Sequence, residues 1–181
     1  MKTYISILRG INVGGHKMIK MDALRQLYSD LGFENVKTHI QSGNVVFHYK
    51  QTENKILADK IEKEITKTFR FEVPVLVIDL GEMKQIVNEN PFIKDSLKDI
   101  SFLHITFLSD KPAKENLDKI TNGQYQKDEL KIIDKAIYLY CPNSYSNSKL
   151  TNSFFENKLK VTATTRNWKT TNELINIADK L

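Results

Sequence analysis

The sequence contains a single cysteine, Cys141, among its 181 residues. One cysteine excludes an internal disulfide and any zinc site with several cysteine ligands. Because Cys141 follows the strand-like segment 137–140, we expect it to be a small buried hydrophobic side chain rather than a nucleophile. A reduced, cytoplasmic setting is therefore the default expectation.

Long apolar runs are also missing. No segment approaches the roughly 18 residues that a membrane span needs. The N-terminus lacks the charged start, apolar block and small-residue cleavage site of a signal peptide. With seven glycines and four prolines, the chain has no composition typical of a long linker. We expect a globular protein without a membrane partner, built as one large domain or two small fused ones.

Metal and acid–base motifs are equally scarce. The four histidines, His16, His39, His48 and His104, show neither H-x-x-x-H nor H-E-x-x-H spacing. The carboxylates are scattered over predicted helix surfaces without an evident pair. We therefore expect no metal site and no cofactor, and the sequence leaves open whether the protein is an enzyme.

Positive charge is concentrated near the two ends of the chain, although the net charge is only +5. Residues 1–20 contain four basic residues and no acidic one, and residues 146–170 contain five basic residues against Glu156. Clustered positive charge favours an anionic partner through its summed potential. A basic surface without a function is the alternative.

Hydrophobic periodicity and turn residues predict the order β-α-β-β-α-β twice. The first set covers a strand over 3–8, a helix over 22–31, hairpin strands over 37–40 and 45–49, a helix over 53–69 and a strand over 73–78. After a short helix over 81–90, the second set covers a strand over 102–108, a helix to about 120, hairpin strands over 130–133 and 137–140, a helix over 148–159 and a brief strand over 160–163. A final helix covers 167–181.

This order predicts an α/β (α+β) protein made of two ferredoxin-like halves, in tandem or intertwined, with a C-terminal helix. The halves would cover residues 1–80 and 81–181 and together form one compact unit. A single mixed sheet is the alternative.

The first loop, after the strand over 3–8, is rich in glycine and basic residues. Glycines let backbone N–H groups approach an anion, and the start of the next helix adds partial positive charge. Neither the Walker spacing nor G-x-G-x-x-G is present, so a conventional nucleotide-binding P-loop is not predicted. A tight connection with incidental glycines is the alternative. The candidate ligand-binding residues here are Arg9, Asn12, Gly14, Gly15, His16 and Lys17.

Three further segments carry polar side chains that could contact a ligand. In the turn 41–44, Gln41, Ser42 and Asn44 either bind a ligand or hydrogen-bond their own backbone. Ser146 and Lys149 form an S-x-x-K pattern without its companion motifs, and Ser146 or Ser148 is better explained as a helix N-cap. The third segment holds Arg166, a fork for phosphate or carboxylate, Asn167, a helix cap, and Trp168, which could stack on a base or pack in the core. Ser148, Lys149, Arg166, Asn167 and Trp168 complete the candidate set.

Five motifs together resemble one bacterial family, the domain-of-unknown-function family sixteen-ninety-seven. They are LRGINVGG over 8–15, IQSGNVVF over 40–47, NPF over 90–92, SKLTN over 148–152 and ATTRNW over 163–168. The resemblance covers nearly the whole chain and implies a compact α/β protein built of ferredoxin-like halves. It implies no activity, substrate, cofactor or catalytic residue.

Two functional hypotheses follow from the residues. The first is binding of a phosphate-bearing ligand, single-stranded RNA or a nucleotide, through the basic glycine-rich loop and the segment 163–168. The second is an enzyme acting on a small anion in a cleft between the halves. In that case Arg9 and Arg166 would hold the anion and His16 would act as acid or base. A protein-interaction module without catalysis is the third alternative.

Overall fold

The structure, a computed structural model that describes residues 1–181, contains two four-stranded antiparallel sheets and six α-helices. Three short 3-10 turns cover Pro91–Lys94, Ile100–Phe102 and Tyr145–Asn147. The first set of elements is β1 (Lys2–Leu8), α1 (Met21–Asp30), β2 (Glu34–His39), β3 (Asn44–Tyr49), α2 (Asn54–Phe69), β4 (Val75–Asp79) and α3 (Leu80–Asn88). The second is β5 (Leu103–Leu108), α4 (Lys114–Thr121), β6 (Glu129–Ile133), β7 (Ala136–Tyr140), α5 (Asn152–Leu159), β8 (Ala163–Asn167) and α6 (Trp168–Asp179).

The chain divides into two compact units. Unit 1 comprises residues 1–85 and 173–181, and unit 2 comprises residues 86–172. The strand order is β2-β3-β1-β4 in unit 1 and β6-β7-β5-β8 in unit 2. Both orders, with their βαββαβ connectivity, are ferredoxin-like, so the predicted fold is confirmed.

The core of unit 1 forms between its sheet and the helices α1 and α2. Alternation along β1 directs Tyr4 and Leu8 to this side, where both are buried. The ring of Tyr4 stacks on Phe47 with centroids 5.7 Å apart. Ser6, the one polar residue between them, is satisfied by the Tyr28 hydroxyl at 2.7 Å. The core is therefore apolar with its polar atoms paired.

The core of unit 2 contains Leu108, Leu139, Phe155 and the single cysteine. Cys141 is fully buried, and burial raises the pKa of its thiol to about 11. A thiol with a raised pKa is a poor nucleophile at neutral pH. The prediction of a small buried hydrophobic side chain at this position is confirmed.

Two predicted boundaries in unit 2 are wrong. The segment 160–163 is not a strand, because Lys160 adopts a left-handed conformation (φ 60°) and ends α5. The strand begins at Ala163, which pairs with Leu108. The helix before it begins at Asn152 rather than at residue 148, and its N-cap is Thr151, whose hydroxyl accepts the Phe154 N–H at 3.1 Å. Neither Ser146 nor Ser148 is that cap.

The two units repeat the same hydrogen bonds at equivalent positions. At the end of the first strand, the N–H of the last residue donates to the turn before the third strand: Leu8 to Gly43 O in unit 1, and Leu108 to Lys135 O in unit 2. The N–H of the following residue donates to the connection before the fourth strand: Arg9 to Pro74 O, and Ser109 to Thr162 O. All four distances are 2.9–3.0 Å. These bonds align residue 8 with residue 108 and allow the connections of the two units to be compared one by one.

Among the glycines of unit 1, Gly43 has the least room for a side chain. Its φ is +76°, and a Cβ there would lie 2.6 Å from Leu8 Cβ and 2.8 Å from Ile11 Cδ1. Gly32, which follows α1, also has a positive φ (+81°), but no atom lies within 4 Å of its Cβ position. Alanine at position 32 would therefore have the cost of the backbone conformation alone, whereas alanine at position 43 would have that cost and the cost of steric contact.

We expect Gly43→Ala to lower the free energy of unfolding by about 2–4 kcal/mol, because strain and overpacking add. Gly32→Ala should cost about 1 kcal/mol, from backbone conformation alone. Urea unfolding at 25 °C measures both. Equal losses of stability in the two variants would show that Leu8 and Ile11 move away from the new Cβ at position 43 without a cost in free energy.

Candidate functional site

The two units differ most in the lengths of equivalent connections. In unit 1 the β1–α1, β2–β3 and α2–β4 connections have twelve, four and five residues (9–20, 40–43 and 70–74). The corresponding connections of unit 2 have five, two and three residues (109–113, 134–135 and 160–162). All three of these connections lie at one end of the sheet in their own unit. The additional length in unit 1 is therefore not required to close the fold.

We call residues 9–20, 40–43 and 70–74 the three-loop surface. The first loop is hydrogen-bonded to both of the others. The Asn12 side chain donates to the carbonyl of Gln41 at 2.8 Å, and Lys17 Nζ donates to the carbonyl of Glu72 at 2.6 Å. Two of the five motifs, over 8–15 and 40–47, are thus brought together.

Asn12 fixes the conformation of the first loop. Its own φ is +55°, a left-handed value that asparagine tolerates better than most residues. Its amide donates to Ile19 O at 3.0 Å as well as to Gln41, and its Oδ1 accepts the Ile19 N–H at 2.8 Å. Asn12 therefore joins the two ends of the twelve-residue loop, whose tip is held by backbone hydrogen bonds from Asn12 N to Lys17 O and from His16 N to Val13 O.

The three-loop surface carries four basic residues and one acidic residue, a net charge of +3. The basic residues are Arg9, Lys17, Lys20 and Arg70. Gly10, Gly14 and Gly15 have positive φ values of 57–77°, which lets consecutive backbone groups turn outward. No side chain caps the N-terminus of α1, which follows directly. The chemistry of this surface suits an anion.

The predicted residues of the first two motifs do not have equal access to a ligand. His16 and Gln41 are exposed, and Ser42 is half-buried. Asn44 is fully buried, and its amide donates to His39 O and Ser42 Oγ at 3.2 and 2.8 Å. The structure thus gives Asn44 the turn-stabilising role that was the alternative to ligand contact.

Arg166 contacts its own strand. Its guanidinium donates to Thr165 O at 2.9 Å and to Thr164 Oγ1 at 3.1 Å. Burial lowers the pKa of Arg166 to about 10. These contacts satisfy a carbonyl of β8, an edge strand. The side chain has a structural role that the sequence did not indicate.

The other predicted residues of unit 2 are mostly structural. Asn167 caps α6 as expected, since its Oδ1 accepts the Thr170 N–H at 2.7 Å, while Trp168 is half-buried. Ser148 donates to Asp128 Oδ2 at 2.6 Å and accepts the Leu150 N–H. Lys149 is exposed. In the motif over 90–92, Asn90 Oδ1 accepts the Phe92 N–H at 3.0 Å.

Unit 2 has its own long connection, at the other end of its sheet. The β7–α5 connection has eleven residues (141–151), whereas the equivalent β3–α2 connection has four (50–53). It places Tyr145 against β5 and β8. The Tyr145 ring stacks on His104 with centroids 4.8 Å apart, and its hydroxyl donates to Thr165 Oγ1 at 3.1 Å.

A polar cluster results, and sequence reasoning did not identify it. Thr165 Oγ1 also donates to Asn152 Oδ1 and contacts Thr106 Oγ1, both at 2.7 Å. His104 Nδ1 lies 3.2 Å from Phe102 O, which requires the proton on Nδ1 and leaves the lone pair on Nε2. The one available signal was the polar alternation of His104 and Thr106 along a strand that is otherwise apolar.

We expect Asn12→Ala to lower the free energy of unfolding by about 2–3 kcal/mol, because three hydrogen bonds are lost. Hydrogen exchange at the Ile19 amide should accelerate in the same variant. Gln41→Ala is the control, since it keeps the carbonyl that Asn12 contacts, and should change stability by less than about 0.5 kcal/mol. An unchanged Ile19 exchange rate would contradict the role assigned to Asn12.

His104 should make stability depend on pH. Burial lowers the pKa of His104 below its usual value of 6.5. As the pH falls, the unfolded chain therefore binds this proton before the folded protein does. The stabilising contribution is complete above about pH 6.5 and is lost as the pH falls further. His104→Asn should flatten this slope, and an NMR titration giving His104 a pKa of 6.5 or higher would contradict the expectation.

Comparison with known proteins places the chain in a family and supports its fold. The family described as "Protein of unknown function (DUF1697)" matches residues 1–138. The solved structure of conserved bacterial protein SP0830 from Streptococcus pneumoniae is similar, with a TM-score of 0.73, 22% identity and 98% of each chain covered. At that identity the likeness concerns the fold alone. No curated protein matches the chain. The match over most of its length shows that this chain belongs to the DUF1697 family.

Proposed function

We propose that the protein binds a phosphate-bearing ligand through the three-loop surface of unit 1. The observation that carries the proposal is the difference between two copies of one topology. Unit 2 closes the same three connections with five, two and three residues, whereas unit 1 uses twelve, four and five. Loops longer than the fold needs commonly carry binding residues on a rigid scaffold.

Charge and backbone geometry support an anionic ligand. Lys17 and Lys20 are exposed and belong to the same loop as Gly14 and Gly15, whose positive φ values allow N–H groups to converge. The start of α1 adds the partial positive charge of a helix N-terminus. The hydrogen bonds of Asn12 hold these groups in place before binding, which reduces the entropy lost when a ligand binds.

The sheet itself is a poor platform for RNA bases. Proteins with this fold that bind RNA stack bases on aromatic side chains of the helix-free sheet face. In unit 1 the sheet face opposite α1 and α2 carries the aliphatic residues Ile5, Ile7 and Val46, and all three are buried, so this face is itself covered. Tyr4, the aromatic residue of β1, lies on the helix side. RNA binding would therefore have to use the loops.

The contribution proposed for the segment 163–168 has less support. The guanidinium of Arg166 is engaged by β8 itself, and the Asn167 side chain caps α6. Ligand contact by this segment stays a prediction, as do the small-anion enzyme and the interaction module. No observation in either unit favours one of these alternatives over phosphate binding by the loops.

The test is binding of a fluorescent single-stranded RNA and of nucleotides to variants of the full chain. Lys17→Ala and Lys20→Ala should each weaken binding, and each should reduce the salt slope by about one if its ammonium contacts a phosphate. Lys55→Ala and Lys63→Ala, exposed lysines on α2, are the matched controls. Arg166→Ala tests the segment 163–168: lower stability with an unchanged salt slope would assign Arg166 a structural role alone, and a reduced slope would add it to the ligand contacts. If the α2 variants lose as much affinity as Lys17→Ala and Lys20→Ala, the ligand is attracted to positive charge anywhere on the protein rather than bound at the three-loop surface.

A further inference from the structure

The three-loop surface is apolar as well as basic. Nine large hydrophobic side chains are exposed in the chain, and three of them lie on this surface. They are Val13, Met18 and Ile40, with 64%, 60% and 53% of their surface exposed. Single exposed apolar residues are ordinary, but three on two loops joined by a hydrogen bond need an explanation.

Ile40 is held in an unusual backbone conformation. Its φ is +49°, a left-handed value that is rare for a β-branched residue. The next residue, Gln41, accepts the hydrogen bond from Asn12 that joins the turn to the first loop. The strained residue therefore belongs to a segment that is fixed in position, and its side chain points to solvent. Strain of this kind persists where the surrounding structure enforces it, often at functional sites.

The chemistry of the surface distinguishes between phosphate-bearing partners. Residues 9–20 and 40–43 contain no Phe, Tyr or Trp, and Phe71 in the third loop is half-buried and stacks on Phe69, so His16 is the one exposed ring on which a nucleic acid base could stack. The transfer of an aliphatic side chain from water into hydrocarbon is favourable in free energy and requires no particular orientation. Basic side chains beside them are attracted to negatively charged headgroups. A phospholipid interface is the phosphate-bearing partner that offers both environments together.

We infer that the three-loop surface docks on the surface of an anionic phospholipid bilayer. Val13, Met18 and Ile40 enter the headgroup region, and Lys17 and Lys20 contact lipid phosphates. The inference rests on the proposed phosphate binding and names its ligand class. Such docking on one leaflet requires no spanning segment, and none of the six helices has the length and hydropathy to cross a bilayer. It replaces our expectation of no membrane partner, which the absence of a span had motivated.

The test is co-sedimentation of the full chain with vesicles of phosphatidylcholine, with and without phosphatidylserine. We expect binding to the vesicles that contain phosphatidylserine and little to phosphatidylcholine alone. Combining Val13→Ser, Met18→Ser and Ile40→Ser should reduce the partition coefficient at least about tenfold. Lys17→Ala and Lys20→Ala should each reduce it about fivefold at low salt.

Two controls keep misfolding from imitating the result. Ile56→Ser combined with Ile133→Ser removes exposed apolar side chains elsewhere and should leave vesicle binding unchanged. Ile40→Asn removes the apolar side chain while placing a residue that tolerates the left-handed conformation. It should therefore raise the urea midpoint and still weaken vesicle binding. Equal vesicle binding by wild type and by the triple serine variant would overturn the inference.

The remaining outcomes separate this inference from the proposal on which it rests. Salt-sensitive binding of RNA or nucleotides that depends on Lys17 and Lys20, without vesicle binding, would leave phosphate binding standing and overturn membrane docking. Binding to both vesicle types alike would remove the anionic requirement and also overturn it. If neither vesicles nor soluble phosphate-bearing probes bind, both proposals fail.

Discussion

The hydrogen bonds of Asn12 are the interactions on which the functional surface of unit 1 depends. Twelve residues between a strand and a helix would lose considerable entropy on adopting one conformation, on the order of 1–2 kcal/mol per residue. No helix or sheet ladder offsets that loss within 9–20. Asn12 instead joins the two ends of the loop through Ile19 and joins the loop to the turn through Gln41. Arg9 and Lys17 then add hydrogen bonds to the connection before β4.

The two units show what one topology can do with different connections. Both have strands in the same order and the same bonds at the end of the first strand. Unit 1 is extended at the end that holds the β1–α1 connection, whereas unit 2 is extended where β7 leads into α5. Unit 1 thereby presents basic and aliphatic side chains to solvent. Unit 2 uses its extension to cover β5 and β8 with Tyr145 and a polar cluster.

The sequence predicted the element order of both units because hydrophobic alternation and turn residues are local signals. The order alone indicated the ferredoxin-like halves, and the position of Cys141 after an apolar strand indicated its burial. The strand over 163–167 was misplaced because its residues, Ala-Thr-Thr-Arg-Asn, are mostly polar and have no apolar alternation. Its conformation comes from pairing with β5, a contact between residues about 60 positions apart. Such pairings have no local signature.

The candidate site residues also divide into those that local sequence signals identify and those whose roles depend on distant contacts. Glycine and basic residues identified the first loop, since their chemistry is visible in the composition of one segment. The roles of individual side chains were not visible, because each depends on a distant partner. Asn12 contacts a carbonyl 29 residues away, and Tyr145 contacts a hydroxyl 20 residues away. Arg166 had the residue type expected for a phosphate ligand, yet its guanidinium stabilises an edge strand.

A basic residue in a motif is therefore weak evidence for ligand binding until its contacts are known. Arginine has several donors in a planar fork, and a strand edge with outward carbonyls can engage it as well as a phosphate can. Lys17 differs because its single short contact, to Glu72 O, leaves an exposed ammonium with further N–H groups. That contact positions the charge on the surface without neutralising it, since a carbonyl carries no net charge. The contact with Glu72 thus keeps the positive charge of Lys17 available, which a salt bridge at the same position would not.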